Sequence, residues 1–241
     1  MKVVILAGGE GTRLRPYTTV FPKPLVPVGN MPIIEIIVRQ LYSSGFKDIT
    51  ITVGYLAELI KAYFKNIEHN FPGLEIKYIH ENKPTGTAGS LSFIENINEP
   101  LLVMNGDVLT TLDYRDLVRY HKEHKGILTI GTYKKKVKID LGILELEEGV
   151  LTGYIEKPEK FYDVSMGIYV YEPSVLSHIE KGKYLDFPDL VVHLIKNKEK
   201  VVSYLCNDHW LDIGRHEDLI KAQKEFEQMK DKFLPGYFSR E

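Results

Sequence analysis

Glycines and two cations are concentrated close to the N-terminus of the chain. The apolar stretch Lys2–Leu6 has the composition of a buried strand, and residues 7–13, which follow it, read AGGEGTR. Glycines let backbone N–H groups approach a ligand closely. Arg13 and Lys23 add positive charge that suits phosphate oxygens, so the segment predicts a pocket for the phosphates of a nucleotide. The predicted contacts are Leu6, Ala7, Gly8, Gly9, Gly11, Thr12 and Arg13.

Two common phosphate-binding loops do not fit these residues. A P-loop ends in Gly-Lys-Ser/Thr, whereas Gly11 is followed by Thr12 and Arg13. The dinucleotide fingerprint ends in Gly or Ala at the start of a helix, but that position is Leu14 and Pro16 comes soon after. The acidic residue that binds ribose about 20 residues further on is also missing. An NAD-dependent oxidoreductase is therefore disfavoured.

The motif GGEGTRLRP at residues 8–16, with PKP at residues 22–24, is similar to the signature of the sugar-1-phosphate nucleotidyltransferases, also called nucleotide-sugar pyrophosphorylases. The resemblance extends from about Lys2 to Ile220. It implies an enzyme that transfers a nucleoside monophosphate from a nucleoside triphosphate onto a sugar-1-phosphate and releases pyrophosphate. Such a reaction depends on positioning and charge neutralisation, not on a covalent nucleophile. The catalytic residues that the resemblance implies are Arg13, Lys23, Asp107, Lys157 and Asp212.

Two aspartates match the paired metal ligands of this family. Asp107 directly follows the apolar stretch Leu101–Asn105, and Asp212 lies within WLDIG at residues 210–214. Taken alone, Asp107 could be a turn or helix-capping residue and Asp212 a buried structural carboxylate. Mg²⁺ prefers oxygen ligands, usually one or two carboxylates with phosphates and water. The resemblance therefore implies a Mg²⁺ cofactor held by Asp107 and Asp212.

The sequence EKP at residues 156–158 matches a sugar-binding motif of the family. There Lys157 would neutralise the phosphate of the sugar and Glu156 would accept hydrogen bonds from its hydroxyls, whereas an ordinary surface pair is the alternative. Leu141 and Ser165 depart from the tyrosine and asparagine that many relatives carry, which leaves the identity of the sugar open. The sugar contacts that the resemblance implies are Asn105, Gly142, Glu156, Lys157, Ser165 and Gly167.

The loop ENKPTGTAG at residues 81–89 corresponds to the base-reading loop of the family. Relatives that bind uracil, thymine or adenine commonly have glutamine where this chain has Glu81. An ionised carboxylate only accepts hydrogen bonds, and guanine offers it two adjacent donors. Glu81, with Gly86 and Thr87, therefore predicts GTP, and the loop resembles the mannose-1-phosphate guanylyltransferase branch. Cytosine is the main alternative base, and uracil or thymine is a further alternative. Mannose-1-phosphate is the default sugar for this branch, and a heptose or amino-sugar phosphate is the alternative.

Short apolar strands alternate with amphipathic helices in the first half of the chain. The predicted strands after Lys2–Leu6 are Ile49–Val53, Ile76–His80 and Leu101–Asn105. The predicted helices are Met31–Ser44, with Asn30 as N-cap and Gly45 at its end, Leu56–Phe64 and Thr87–Ile94. This alternation predicts an α/β fold, a Rossmann-like three-layer sandwich with a mostly parallel mixed central sheet. Ligands of such sheets bind beyond the carboxyl ends of the strands.

The second half of the chain mixes strands and helices less regularly. The predicted strands there are Ile127–Tyr133, Gly142–Leu146, Leu151–Glu156, Gly167–Tyr171 and Val201–Leu205, and the helices are Tyr114–Lys125, Pro173–His178 and Phe187–Lys196. The basic run Lys134–Lys138 predicts a solvated loop. We expect one domain over 1–241, with a nucleotide-binding half 1–110, a sugar-binding half 111–214 and a C-terminal helix in 215–241. That helix, Arg215–Lys232, should pack on the domain or on a second subunit of a homodimer.

The composition is ordinary for a globular enzyme. The chain has 241 residues, of which 44% are hydrophobic and 27% charged, and its formal net charge of −2 does not indicate a nucleic-acid partner. One cysteine, no signal peptide and no membrane-length apolar run predict a cytoplasmic protein with no membrane partner. The chain ends too early for the C-terminal left-handed β-helix of many relatives. A non-catalytic regulatory homologue of the same fold is the competing hypothesis.

Overall fold

Strands and helices alternate along most of the chain. The computed structural model describes residues 1–81 and 83–238. The strands in that part are β1 (Lys2–Ala7), β2 (Pro27–Val28), β3 (Met31–Pro32), β4 (Asp48–Val53), β5 (Glu75–His80), β6 (Leu101–Asn105), β7 (Val108–Thr110), β8 (Leu128–Lys138), β9 (Ile143–Glu147), β10 (Val150–Ile155), β11 (Glu159–Tyr171), β12 (Val201–Cys206) and β13 (Trp210–Asp212). The α-helices there are α1 (Ile33–Ser43), α2 (Ala57–Ile67), α3 (Gly86–Gly89), α4 (Tyr114–His124), α5 (Phe187–Lys196) and α6 (His216–Phe233).

Seven strands form the central sheet, in the order β12-β8-β11-β6-β1-β4-β5. Every neighbouring pair is parallel except the two pairs that include β11, which runs antiparallel to β6 and to β8. The predicted mostly parallel mixed sheet is confirmed. In register, Leu6 of β1 stands beside Thr52 of β4 and Asn105 of β6. The carboxyl ends of these strands therefore meet at one edge, where ligands of such sheets bind.

Helices cover both faces of the sheet and make three layers. Successive side chains of a strand point to opposite faces, so Val3 and Ile5 join one buried cluster and Val4 joins the other. The first cluster includes the apolar faces of α1, α2, α4 and α6, and the second includes that of α5. The three-layer sandwich predicted from the sequence is confirmed, and its two cores hold the strand ends in place.

The prediction for the start of the first helix is wrong by two residues. Met31–Pro32 pairs with Pro27–Val28 as an antiparallel bridge, so α1 begins at Ile33 and Pro32, not Asn30, is its N-cap. The predicted end is confirmed, because Gly45 has a φ of 90° and donates its N–H to the carbonyl of Tyr42 at 3.0 Å. An antiparallel bridge to residues only three to five positions earlier therefore overrode a favourable capping residue.

The predicted helix Thr87–Ile94 divides into two shorter pieces. Gly86–Gly89 forms α3, and Ser90–Phe93 continues as a 3-10 turn. The backbone N–H groups of Ala88 and Gly89 both donate to the carbonyl of Leu185, at 3.0 and 2.9 Å. The first turn is thus held by a distant loop, and the helix remains short.

β8 and β11 continue beyond the rest of the sheet as a two-stranded ribbon. Lys134–Lys138 pairs with Glu159–Asp163, and the Lys136 ammonium lies 2.6 Å from the Glu159 carboxylate. The prediction of a solvated loop over Lys134–Lys138 is therefore wrong, because pairing with a partner strand more than 20 residues away determines its conformation. We call residues 134–163 the arm; besides the ribbon it contains the antiparallel hairpin of β9 and β10.

The two halves of the chain contribute to one sheet. β11, from the second half, pairs directly with β6 from the first. The C-terminal helix α6 packs on this same domain through buried Leu219, Ala222 and Phe226, which confirms the first of its two predicted contacts. Residues 239–241 of the predicted C-terminal segment, and Asn82 of the base-reading loop, lie outside the described residues.

Over residues 1–81 and 83–238, no helix combines the length and the apolar character needed to cross a bilayer.

Candidate active site

A cavity of about 510 Å³ lies at the carboxyl edge of the sheet. The glycine-rich loop after β1, the loop after β5 and the turn after β6 form its walls. The structure thus brings together most of the residues predicted from three separate motifs. Those that line the cavity are Leu6, Ala7, Gly8, Gly9, Gly11, Thr12, Arg13, Lys23, Glu81, Gly86, Thr87, Asn105 and Asp107.

The glycine-rich loop is tied to the end of β6. The N–H of Gly106 donates to the carbonyl of Leu6 at 2.9 Å, where the loop begins. Gly11 has a φ of 63°, and a Cβ placed on it would lie 2.8 Å from the Lys23 Cβ. No atom of residues 1–81 and 83–238 lies within 4 Å of a Cβ placed on Gly9. The protein itself therefore requires glycine at position 11, whereas space at position 9 is left open.

Lys23 and Asp107 form an ion pair at the base of the cavity. Lys23 lies in a short 3-10 turn between two prolines and is only 9% exposed. Its ammonium donates to Oδ2 of Asp107. Oδ1 of Asp107 is buried and has no hydrogen-bond partner within the described part of the chain. One carboxylate oxygen is thus neutralised by lysine, and the other is available to a ligand.

Asp212 lies beside Asp107 because β13 pairs with β7. Asp212 is in register with Val108, and the N–H of Ile213 donates to the Asp107 carbonyl at 3.1 Å. Loss of solvent around the carboxyl and then the charge of Asp107 raise the pKa of Asp212, while Lys23 and Arg13 oppose the rise. The charges of Asp107, Lys23 and Arg13 are therefore all close enough to Asp212 to influence its ionisation. The structure brings together four of the five predicted catalytic residues.

The donor set of this cluster fits Mg²⁺. Two neighbouring carboxylates and an unpartnered buried oxygen concentrate negative charge in one place. Within residues 1–81 and 83–238 no group of three or more His, Cys, Asp or Glu could enclose a metal ion. A pair of aspartates that leaves most positions to substrate oxygens and water is the usual arrangement for Mg²⁺, and not for a closed structural metal site.

Glu81 is fixed by the loop in which it lies. Its Oε2 accepts from the hydroxyl of Thr85 at 2.6 Å and, more weakly, from the Thr85 N–H at 3.3 Å. Its Oε1 faces the glycine-rich loop, since a Cβ on Gly8 would lie 2.8 Å from this atom. The carboxylate is therefore held in one orientation, with one oxygen directed to the cavity wall.

The loop that contains Leu185 and Asp186 makes hydrogen bonds to the residues that follow Glu81. Leu185 donates its N–H to the carbonyl of Thr85 at 2.8 Å, and a Cβ on Gly86 would lie 2.5 Å from the Leu185 carbonyl. The N–H of Thr87 donates to Asp186 at 3.3 Å. Gly86 is thus required by packing as well as being a predicted nucleotide contact.

Three of the predicted sugar contacts lie beside the cavity. Asn105 lines it, and a Cβ on Gly167 would lie 2.6 Å from the Asn105 side chain. The hydroxyl of Ser165 donates to that of Tyr169 at 3.2 Å. Burial raises the pKa of Tyr169 to about 12, with smaller contributions from Asp107 and Asp212, which indicates that its ring lies near both aspartates. This group therefore forms a wall next to the acidic pair.

The other predicted sugar contacts lie at the base of the β9–β10 hairpin, not in the cavity. Glu156 and Lys157 are exposed and form a loose ion pair at 3.7 Å. Glu156 accepts from the Tyr154 hydroxyl at 2.8 Å, and Tyr154 in turn packs against Gly142. The structure thus keeps these residues together but does not bring Lys157 to the other four predicted catalytic residues, and their sugar-binding role stays a prediction.

Sequence reasoning missed several residues of the cavity. Thr85 orients Glu81, and its position four residues further along the same loop was an available signal. Tyr184 lines the cavity from a segment about 100 residues away and had no local signal. Its hydroxyl donates to Asp186 at 2.6 Å. This bond holds the Tyr184 ring near the loop that follows Glu81. Only the fold reveals that this segment belongs to the site.

Comparison with known proteins assigns the family. Residues 2–229 match the profile of the family described as "Nucleotidyl transferase". The chain belongs to the nucleotidyl transferase family. This membership agrees with the geometry, since the glycine-rich loop, Arg13, Lys23 and Asp107 line one cavity and Asp212 lies next to Asp107.

Curated relatives within the nucleotidyl transferase family are identical to this chain at about a third of the aligned positions. A mannose-1-phosphate guanyltransferase of Pichia angusta is 35% identical over 235 residues, which are 92% of this chain. Mannose-1-phosphate guanyltransferase beta-B of Xenopus laevis is 31% identical over 228 residues, which are 91% of this chain. The chain spans 63% of the length of each of these relatives.

Solved structures of similar size share the nucleotidyl transferase fold. A protein of Bacillus anthracis described as a glucose-1-phosphate thymidylyltransferase, solved with sucrose, superposes with a TM-score of 0.74 and 28% identity, and 93% of this chain covers 94% of that one. HddC of Yersinia pseudotuberculosis, solved with GMP-PN, has a TM-score of 0.70 and 26% identity, and 93% of this chain covers 99% of it. The Rossmann-like fold is therefore shared over nearly the whole chain.

Proposed function

We propose that this chain transfers a nucleoside monophosphate from a nucleoside triphosphate onto a sugar-1-phosphate and releases pyrophosphate. The observation that carries the proposal is that Arg13, Lys23 and Asp107 line one cavity beside the glycine-rich loop, with Asp212 next to Asp107. Both substrates are anions, so a catalyst must hold them together against repulsion. A site with backbone donors, two cations and a pair of metal-binding carboxylates meets that requirement.

In the proposed reaction an oxygen of the sugar phosphate attacks the α-phosphorus in line. A new P–O bond forms, the bond to the bridging oxygen of the β-phosphate breaks, and pyrophosphate leaves with the electron pair. The backbone N–H groups of the glycine-rich loop bind the triphosphate, and Arg13 and Lys23 neutralise charge on its oxygens. No side chain has to form a covalent bond, so the residues act by binding and orienting.

We propose that Asp107 and Asp212 hold Mg²⁺. The unpartnered Oδ1 of Asp107 and the raised pKa of Asp212 support this, because both show carboxylates whose charge the protein alone does not fully compensate. Bound there, the ion would supply charge neutralisation to the phosphates of both substrates. Lys23 keeps Oδ2 of Asp107 occupied and thereby orients the carboxylate.

We propose that the nucleotide is GTP. Glu81 lines the cavity as a carboxylate held by Thr85, and it can accept hydrogen bonds from the ring N1–H and the exocyclic amine of guanine. Uracil and thymine would present carbonyl oxygens to the same charge. The guanyltransferases among the relatives are consistent with this choice.

For the sugar we propose mannose-1-phosphate, with a heptose or amino-sugar phosphate as alternatives. Asn105, Ser165 and Gly167 form the wall that would face it, and Lys157 would neutralise its phosphate. A Lys157→Ala variant is expected to raise KM for the sugar phosphate at least tenfold and leave KM for the nucleotide nearly unchanged. Equal changes in both constants would remove Lys157 from sugar binding.

We propose that the enzyme works in the cytoplasm as a homodimer. The lone Cys206 is free and buried, as suits a reducing compartment.

One panel assay tests the reaction and its substrates together. Purified protein with Mg²⁺ is incubated with GTP, CTP, UTP, dTTP or ATP against each of several sugar-1-phosphates, and pyrophosphate release is measured. We expect turnover with GTP and mannose-1-phosphate or one of the two alternative sugars. A preference for UTP or dTTP would contradict the role given to Glu81, and no release with any pair would favour a non-catalytic homologue.

A further inference from the structure

The lining of the cavity contains a buried hydroxyl without a partner. Thr52 lines the cavity from β4 and is only 1% exposed. Its Oγ1 has no hydrogen-bond partner within residues 1–81 and 83–238. A buried hydroxyl that makes no hydrogen bond destabilises a fold, and so such a group in a native protein calls for an explanation. In that part of the chain, only Asp107 and Thr52 combine an unpartnered buried atom with a place in the cavity lining.

The position of Thr52 in the sheet does not itself require a hydroxyl. Successive side chains of a strand point to opposite faces, and Val53 belongs to the first buried cluster. Thr52 therefore points to the other face, where it is in register with Leu6 and Ile79. Both of these apolar neighbours pack against the second cluster, which includes Ala88 of α3. Valine would fit this apolar setting equally well, so packing does not explain the threonine.

Thr52 lies close to the carboxylate that we assign to the base. The N–H of Glu81 donates to the carbonyl of Val53, the next residue after Thr52, at 2.8 Å. A Cβ placed on Gly8 would lie 2.8 Å from Oε1 of Glu81 and 3.8 Å from the backbone nitrogen of Gly54. The end of β4, the glycine-rich loop and Glu81 thus meet in one part of the cavity, and the unpartnered hydroxyl belongs to that part.

We propose that the Thr52 hydroxyl donates a hydrogen bond to O6 of guanine, a role that rests on the proposed use of GTP. One edge of guanine presents the exocyclic amine, the N1–H and then the O6 acceptor. The Glu81 carboxylate accepts from the first two groups, but it has no donor for O6. A hydroxyl supplies one donor. Thr52 therefore completes the reading of the base, and its hydroxyl gains the partner that it lacks in the free protein.

The first test compares nucleotide binding with and without the hydroxyl. Thr52→Val replaces Oγ1 by a methyl group of similar size, and Thr52→Ser keeps the donor. Calorimetric titration measures the binding of GTP and of 6-thio-GTP, in which sulfur, a weak acceptor, replaces O6. The wild type and Thr52→Ser are expected to bind GTP about tenfold more tightly than 6-thio-GTP. In Thr52→Val this preference should fall below about threefold.

Thr50→Val is the matched control. Thr50 is also a buried threonine of β4 and, two residues earlier, its side chain points to the same face of the sheet. It does not belong to the lining of the cavity. The variant is therefore expected to keep the wild-type preference for GTP over 6-thio-GTP, and an equal loss in Thr50→Val and Thr52→Val would overturn the direct contact.

The melting temperature supplies a readout that does not depend on nucleotide selectivity. Valine removes a buried group that has no partner in the described chain, so ligand-free Thr52→Val should melt at or above the wild-type temperature. With saturating GTP the order should reverse, because the wild type binds the nucleotide more tightly. A lower melting temperature for ligand-free Thr52→Val would show that the hydroxyl is bonded within the fold, and would overturn the proposal.

The remaining outcomes separate this contact from the reaction itself. Equal binding of GTP and 6-thio-GTP by the wild type, or a full preference for GTP in Thr52→Val, overturns the role of Thr52 and leaves the proposed nucleotidyl transfer intact. Tighter binding of CTP or UTP than of GTP by the wild type overturns the role of Thr52 together with the choice of GTP. Pyrophosphate release in the panel assay reports on the reaction class independently of both.

Discussion

Two glycines of the glycine-rich loop are needed for different physical reasons. Gly11 has a positive φ and is crowded by the side chains of Lys23 and Thr18, so the folded chain needs glycine there. Gly9 lines the cavity, and among the described residues none comes within 4 Å of where its Cβ would project. A larger side chain at position 9 would therefore be excluded only by a bound ligand that approaches the backbone closely. The sequence motif contains both residues but cannot separate these two causes.

Substitution by alanine should therefore separate stability from binding. Gly11→Ala is expected to lower the free energy of unfolding by about 1–3 kcal/mol. Gly9→Ala should leave it within about 0.5 kcal/mol of the wild type and weaken GTP binding at least tenfold. Urea unfolding and calorimetric titration with GTP measure the two effects, and a Gly9→Ala protein that binds GTP normally would contradict the close approach of a phosphate to this residue.

Thr85 is a positioning residue for the proposed base reader. Thr85→Val keeps the shape of the side chain but removes the donor to Oε2 of Glu81. We expect kcat/KM for GTP to fall about tenfold, mainly through KM, because the carboxylate loses its fixed orientation. The preference for GTP over ITP, which lacks the exocyclic amine, should shrink.

Thr85→Ser is the matched variant, because it keeps the hydroxyl and should keep the GTP-to-ITP preference. If Thr85→Val lowered turnover with GTP and ITP equally, its role would be structural and not one of base selection.

At the scale of elements, the longer strands of the first half and the mostly parallel sheet were predictable, because each of these strands is a short apolar run between helical patterns. Two wrong predictions share one cause, which is pairing with a second strand. α1 begins late because Met31–Pro32 pairs with Pro27–Val28, and Lys134–Lys138 is a strand because Glu159–Asp163 lies beside it. The partner of Met31–Pro32 is three to five positions away and that of Lys134–Lys138 more than 20, but in neither case does the pattern of the segment itself reveal the pairing.

His121 of α4 joins three elements and should make stability depend on pH. It is fully buried, with Nδ1 2.7 Å from the Thr129 hydroxyl of β8 and Nε2 3.0 Å from the carboxylate of Glu172, the residue that follows β11. Burial lowers the pKa of His121, with a smaller contribution from Lys122, although Glu172 opposes the change. A histidine held neutral stabilises the fold above its unfolded pKa of about 6.5, and this stability is lost as the pH falls below that value.

The expected result is a larger drop in the urea midpoint between pH 7.5 and pH 5 for the wild type than for His121→Gln, which cannot titrate. Each unit by which the pKa is lowered corresponds to about 1.4 kcal/mol. Burial also lowers the pKa of His209, which both proteins retain, so only the difference between them reports His121. Equal drops in the two proteins would contradict the assignment of a neutral imidazole.

At the scale of the whole molecule, the acidic pair exists because the two halves of the chain also pair outside the central sheet, in the two-stranded sheet of β7 and β13. The turn after β6 supplies Asp107 and the strand β13 supplies Asp212, and the β7–β13 pair holds them together. The rule that ligands bind at the carboxyl ends of parallel strands predicted where Asp107 and the glycine-rich loop meet. It did not predict that Glu156 and Lys157 lie on the exposed arm, because they follow β10, a strand of a hairpin outside the central sheet.

The central claim is that the acidic pair and its cations catalyse nucleotidyl transfer. The most direct measurement is pyrophosphate release, with the best substrate pair of the panel and Mg²⁺, by wild type, Asp107→Asn and Asp231→Asn. Asp231 is an exposed aspartate of α6, distant in sequence from the cavity residues, and serves as the matched control. The account predicts a loss of more than 100-fold, about 2.7 kcal/mol of transition-state stabilisation, for Asp107→Asn alone, with the fold intact. Near-normal release by a folded Asp107→Asn enzyme would contradict it.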